Sequence, residues 1–491
     1  MRTDRSKSQR KDGPLRPAKS LPLVQPHAAG IDLGNAEHFV CVPSDSVPPG
    51  EKPVRRFGVF NPDLDQMVQW LKQCQVKTVA LESTGVMWIP VWKKLEAAGL
   101  EVVLVNTKGV KHVPGRKSDV LDCQWLQQLH SYGLLSGSFR PADLICQMRT
   151  LMRQRENLCA SAGRESQHMQ KAMQEMGVHL HVVVSDVCGD TGLRIIDAIL
   201  AGQRDPAALV RLRDPRIRRS TPAQMEAALQ GNWREELLFV LGQSRQGYEF
   251  IQGQMGRLDE RIMLLLAQWP EAPVVVRPAT APPSEAATRA VPALAEKKKP
   301  KKMGTGGNPL PQDIRPQLAK IMGVDLTLIP GLNALGVLII LSEIGPDLKR
   351  WRHAGAFAAW LGLAPGSKIS GGKVLSSRTP HVMNRVAILL RLAALVVGRT
   401  ETALGSFYRR IRAKHGAPKA MTATARKLAE LIYNLMTRGT PYVETDPKIY
   451  EERVRQQKVL RLAREAKKLG YDLVQWQESQ ADTTPQKVAS C

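Results

Sequence analysis

The chain has 491 residues, 43% of them hydrophobic, and a formal net charge of +25, with an isoelectric point near 10.0. That length fits about three domains, and so large a cationic surplus asks for a polyanion, most often nucleic-acid phosphate. The apolar runs Gly336–Leu341 and Val386–Val397 are too short to span a bilayer, Arg391 interrupts the second, and the seven scattered cysteines form no C-x-x-C pair, which excludes membrane, disulfide-framework and structural-zinc classes.

Residues 1–26 are rich in Arg, Lys, Ser and Pro and lack the apolar stretch of a signal peptide. They read as a disordered basic arm on a cytoplasmic, nucleoid-associated chain. From Ala28 onward AAGIDLGNAEHFVCV reads as a strand, a Gly turn and a strand continuation, followed by a strand in KPVRRFGVF. NPDLDQMVQWLKQC has helical spacing with Asn61 as its cap, KTVALES is a strand, MWIPVWKKLEAAGL a helix closed by Gly99, and EVVLVN a strand. SDVLDCQWLQQLHSYGL is a helix opened by Ser118. Strands alternating with helices predict an α/β sheet domain over 27–140.

Beyond Arg140 the strand signal stops. Residues 143–176 and 233–268 read as two long helices within a helical, coiled-coil region (141–269), able to pair with each other or with a second copy. Residues 270–316, Pro/Ala-rich with the run EKKKPKK, read as a flexible basic linker. A mainly helical domain (317–445) and an amphipathic helix with a loose tail (446–491) complete the chain.

Four acids stand out. Asp32 in GIDLG and Glu82 in VALESTG each close an apolar strand, and Asp119 and Asp122 lie three apart in a helix's first turn. One sheet bringing them together would supply the oxygen ligands of a pair of Mg²⁺ ions that clamp a scissile phosphate. The plainer reading is that an Asp after a strand caps a turn, and that acids in a first turn answer the helix dipole.

In the last third, VDLTLIPGLNALGVLIILSEIG reads as helix, Pro-Gly turn, helix, either a helix–hairpin–helix DNA binder or a plain turn. After it, a Gly/Ser/Lys loop containing Ser367, Ser370, Ser376 and Ser377 lies between two apolar helices, with Lys368, Lys373, Arg378 and Arg385 around it. Small residues and cations suit nucleic-acid phosphate contact; a solvated loop has the same composition.

GIDLG, LESTG and GRKSDVLDCQWL together resemble the RuvC-like, RNase H-fold DEDD domain of the IS110 family of insertion-sequence transposases, over residues 28–140. The resemblance implies that Asp32, Glu82, Asp119 and Asp122 bind Mg²⁺ around the exchanged phosphodiester. WLGLAPGSKISGGKVLSSRTP resembles the family's second domain, whose nucleophilic serine precedes Gly and so falls on Ser370, followed by Gly371. Arg378-Thr379-Pro380 departs from the Lys-x-Gly common in that pattern. The resemblance further implies a composite site shared across subunits, a homo-oligomer (dimer or tetramer), donor and target DNA, and a guiding bridge RNA. Aromatic content of 5% gives no independent sign of RNA stacking.

The expected function is therefore DNA strand cleavage and exchange by a metal-dependent serine transposase. A RuvC-like nuclease using water and a non-catalytic nucleic-acid binder are the alternatives; a denaturation-resistant protein–DNA adduct separates the first, and metal-dependent cleavage the second.

Overall fold

The computed structural model describes residues 22–83, 85–105, 118–272, 310, 312–380, 384–444 and 446–474. The expected basic arm up to 21, most of the linker including Lys297–Lys302, and the tail from 475 lie outside the described residues. The chain divides into two compact units between Arg140 and Pro141.

The first unit runs β1 (Ala28–Leu33), β2 (Glu37–Cys41), β3 (Val54–Gly58), α1 (Asn61–Gln73), β4 (Thr78–Glu82), α2 (Trp88–Ala97), β5 (Glu101–Val105) and α3 (Asp119–Ser131). The sheet order is β3-β2-β1-β4-β5. Strands β1, β2 and β3 pair antiparallel, while β4 and β5 run parallel to β1. This is the strand order of an RNase H-like sheet, with helices between the parallel strands.

Strand alternation decides which helix covers which face. Ile31, Leu33, Val79 and Leu81 point into the main core with Leu64, Met67 and Leu71 of α1 and Val91 and Leu95 of α2. Each such fully buried aliphatic side chain is worth roughly 1.5–3 kcal/mol. Gly30, Asp32, Ala80 and Glu82 take the opposite face, where Leu126 of α3 packs on Ala80 and Val105. A Cβ on Gly30 would strike the backbone of α3, at Gln127 N and 2.6 Å from Cys123 O. The helix is fixed there by Gln127 Nε2 donating to Ala28 O (3.2 Å) and by a 2.9 Å hydrogen bond shared between His130 and Thr78. Residues at the end of the expected arm are also held: the amides of Val24 and Gln25 donate to Ser131 O at the helix's C-terminus. Ser118 caps α3 as expected, accepting from Leu121 N. Asn61 is the first helical residue of α1, and its cap is Phe60, whose amide donates to Asp63.

The second unit opens on α4 (Asp143–Glu175), continues through four shorter helices α5 (Leu180–Val183), α6 (Asp190–Leu200), α7 (Pro206–Val210) and α8 (Pro222–Ala228), and returns along α9 (Glu235–Ala267). The long helices pair antiparallel with each other. Arg155 of α4 and Asp259 of α9 form an ion pair at 2.7 Å with side chains 4% and 6% exposed. The short helices close one end of the pair on Met169, Met173, Leu237 and Leu241.

Then follow α10 (Arg315–Met322), α11 (Ala334–Ile344), α12 (Ala354–Trp360), a hairpin of β6 (Lys368–Ser370) and β7 (Lys373–Ser376), α13 (Arg385–Val397), α14 (Ala403–His415), α15 (Ala417–Arg438) and α16 (Pro447–Lys468). Helix α11 lies on α4, where Arg149 donates to the carbonyl of Glu343 at 2.5 Å and both Arg149 and Arg153 pair with its carboxylate. The Pro330-Gly331 turn is spent on packing. Gly331 has φ 86°, a Cβ there would stand 2.7 Å from Ala393 O of α13, and the Gly336 amide already donates to Asn333. Among the described residues no helix is long and apolar enough to cross a membrane.

Two outcomes follow. Gly30→Ala overpacks the α3–β1 contact and is expected to cost about 2 kcal/mol or more in urea unfolding; a neutral result would refute the contact. Arg155→Ala strands a buried carboxylate and is expected to cost about 3–5 kcal/mol, whereas Arg155→Met with Asp259→Leu recovers most of it. Equal losses in both variants would show that the stranded carboxylate is not what costs the stability.

Candidate active site

The parallel register pairs Ile31 with Leu81, so the next residues, Asp32 and Glu82, are lateral neighbours at the carboxyl ends of two central strands. Both lie on the α3 side. Helix α3 runs antiparallel to β1, with Ser131 near the strand's start and Cys123 over Gly30. Its first turn, carrying Asp119 and Asp122, therefore stands at the same sheet end. The helix's positive end faces this group, as suits anions.

The electrostatics report the gathering. Burial pushes the Asp32 carboxyl up from its ordinary 3.8 to about 6, and the charges of Asp119, Asp122 and Glu82 push the same way; the Leu33 amide is the counterweight. Four carboxylates at one end of the sheet, three of them acting by charge on Asp32, have the chemistry of a hard-cation donor set. Their spacing is open: among the described residues no three His, Cys, Asp or Glu side chains are close enough to hold a metal ion as they stand. Residues 106–117, which lead into α3, lie outside the described residues. The donor types fit a divalent cation, and closing the set would require the carboxylates to draw together.

The serine-bearing segment, expected as a loop, is a β-hairpin. Ser370 pairs with Lys373 across a two-residue turn in which Gly371 and Gly372 have φ of 55° and 75°. Positive φ at both central positions is the type I′ turn, which matches strand twist. A Cβ on either glycine would meet nothing within 4 Å, so backbone conformation, rather than space, is what requires glycine here. The sequence signal was present: Gly-Gly between the short runs KIS and KVLS marks a hairpin.

Pairing places Lys368, Ser370, Lys373 and Ser376 on one face of this ribbon. Lys368, Ser370 and Lys373 are exposed, and the lysines form no ion pair among the described residues. The Ser376 hydroxyl accepts from the Arg378 amide at 3.4 Å. Arg378 itself is exposed at the ribbon's base, where its carbonyl accepts from Gly366 N. Arg385 stands apart from the ribbon as the first residue of α13, paired at 2.5 Å with Glu156 of α4. Thus the structure places the four acids at one end of the sheet with their spacing open, and groups two cations with Ser370 on one face. Gly30, which makes α3's approach possible, was passed over in the sequence; its signal was a glycine inside a strand, which marks close backbone approach.

Comparison with known proteins adds family information. The DEDD family of IS110 transposases, described as “Transposase”, matches residues 29–178. The family described as “Transposase IS116/IS110/IS902 family” matches residues 325–409. A curated protein of Sinorhizobium fredii, “Putative transposase y4pF/y4sB”, is 31% identical over 130 residues, which cover 24% of this chain and 32% of that protein. The match thus spans about a third of the relative's length.

The raised Asp32 makes a stability prediction. A carboxyl near 6 when folded and near 3.8 when unfolded takes up a proton on folding between those values, so the folded state gains as pH falls from 6 toward 4 and is penalised above 6. In chelator, Asp32→Asn is expected to melt about 3 °C above the parent at pH 8, with the gap closing by pH 4.5. Calorimetry showing no gap at pH 8 would reject the carboxylate cluster.

Proposed function

We propose that this chain, whose residues 29–178 and 325–409 match IS110-family transposase models, is a transposase of that family that cleaves and exchanges DNA strands using Asp32, Glu82, Asp119, Asp122 and Ser370. The observation that carries this reading is the Asp32 environment: a carboxyl raised by burial and by three named neighbours at the end of one sheet. Strands and helices that merely capped their own turns would have no reason to bring three acids within electrostatic reach of a fourth.

In this reading the four carboxylates hold divalent metal, Mg²⁺ by the hardness of the donors. When bound, the metal neutralises charge on the scissile phosphate and lowers the barrier to displacement. Ser370 Oγ loses its proton and forms a bond to phosphorus. The bond from phosphorus to the leaving sugar oxygen breaks, and that oxygen leaves as a hydroxyl. The phosphoserine ester conserves the original bond energy, so a second hydroxyl rejoins the strand by the reverse displacement. Lys368 and Lys373, on Ser370's own face, orient the phosphate and offset its charge. Ser370 is favoured over Ser376, whose hydroxyl already accepts from Arg378, and over Ser377, which lies beyond the strand.

The DNA partner, a guiding RNA and assembly from several copies belong to the same reading. What supports a polyanionic partner in the second unit is its charge: residues 403–474 carry sixteen Lys and Arg against seven Asp and Glu. RNA sequencing of nucleic acid that co-purifies with the chain identifies the guide.

Ser370→Ala is expected to abolish both recombination and a denaturation-resistant protein–DNA adduct, while Ser376→Ala and Ser377→Ala retain them. Asp32→Asn is expected to lose strand cleavage and keep nucleic-acid affinity within about threefold. Mass spectrometry should place the nucleotide on the Lys368–Lys373 peptide. Cleavage without any adduct would make the protein a water-using nuclease, and cleavage by Asp32→Asn at the parental rate would remove the carboxylates from the reaction.

A further inference from the structure

The hairpin has a second face for which the serine chemistry has no use. Ile369 and Val374 are cross-strand partners and are 64% and 63% exposed. A β-branched cross-strand pair is normally the inward face of a sheet. Here both side chains stand in solvent on a ribbon in which no residue is buried.

Size and charge say what would cover them. From the closing hydrogen bond, Gly366 N to Arg378 O, to Gly371 is five residues, or about 17 Å at strand rise. The major groove of duplex DNA is about 12 Å wide and about 8.5 Å deep, and it admits a two-stranded ribbon. The ribbon is therefore long enough to reach the groove floor. Its other face carries Lys368 and Lys373, with Arg378 at the base, and none of the three pairs with a carboxylate among the described residues. A second copy of the chain would bring another net charge of +25 against these cations, whereas a duplex brings phosphates on both groove walls. Aliphatic side chains have no donor or acceptor for base edges; what they contact favourably is thymine methyl or the face of an unstacked base.

We propose that the β6–β7 ribbon enters a groove of duplex DNA tip first, its Ile369 and Val374 side against the bases and its lysine side toward phosphate. This rests on the DNA-acting reading above and extends it: the element that presents Ser370 also positions the duplex by contact with bases, with little sequence discrimination of its own.

The test uses the full-length chain and a mixed-sequence DNA duplex. Ile369→Ser and Val374→Ser combined alter only exposed side chains, and an unchanged melting temperature checks the fold. This variant is expected to bind the duplex roughly tenfold more weakly, with the slope of log affinity against log salt unchanged. Lys368→Ala, Lys373→Ala and Arg378→Ala combined should instead flatten that slope by about 2.7. Benzoylphenylalanine in place of Val374 should photo-crosslink to nucleobases. Parental affinity in the apolar variant, crosslinks that land on a second polypeptide, or failure of the parent to bind the duplex would each overturn the proposal. The Ser370 adduct is read separately: base crosslinks without an adduct sink the recombinase chemistry and leave the ribbon's role standing, and an adduct without base crosslinks does the reverse.

Discussion

The contact between the backbones of β1 and α3 at Gly30 is the constraint on which the first unit's chemistry depends. Any side chain there would meet Cys123 O and Gln127 N, so the helix would have to stand away from the sheet by the thickness of at least a methyl group. With glycine it lies flat, antiparallel to the strand, and its first turn reaches the carboxyl ends of β1 and β4. Asp119 and Asp122 act on Asp32 through space for that reason. The Gln127–Ala28 and His130–Thr78 hydrogen bonds set the helix's position along the strand.

A cluster of like charges opposes folding, and the remainder of the unit offsets it. The other face of the sheet is apolar, with Ile31, Leu64, Met67, Leu71, Val79, Leu81, Val91 and Leu95 at 0–1% exposure. The sheet is thus a stable floor on one side and a strained electrostatic surface on the other. This is the usual division of labour between a scaffold and a site whose groups are poised for a ligand. Buried His38 and His130, whose imidazoles are both pushed down by desolvation, add a cost to folding in acid, because each must stay neutral while the unfolded chain protonates.

The second unit solves a different problem. Two 33-residue helices with apolar seams could slide by a turn, and the buried Arg155–Asp259 pair penalises each slipped register by leaving a charge unpaired. On that base, α11 is fixed to α4 through Glu343, and α15 collects α12, α13 and α14 around buried Leu428, Ile432 and Tyr433. The ribbon projects from this helical body between α12 and α13. Alone, a two-stranded ribbon is marginal in water. Its conformation therefore depends on the Gly371-Gly372 turn and the Gly366–Arg378 closure, both local, with the helices on either side as anchors.

Local chemistry wrote much of this in the sequence. The alternation of apolar strands and periodic helices gave the α/β unit and its order of elements, the two long helices were visible from their apolar spacing, and the acids stood out because strand ends and a helix start are where the chain exposes them. Tertiary structure decided what local periodicity does not encode. That Asp32 and Glu82 are neighbours follows from parallel pairing between strands 50 residues apart, and that α3 crosses above them follows from Gly30, whose missing side chain has meaning only once the helix is there. The pairing of α4 with α9 was open until Arg155 met Asp259. The serine segment was readable as a hairpin from its Gly-Gly centre, yet which residues share a face with Ser370 is set by register, and a one-residue slip would have exchanged Lys373 for Val374.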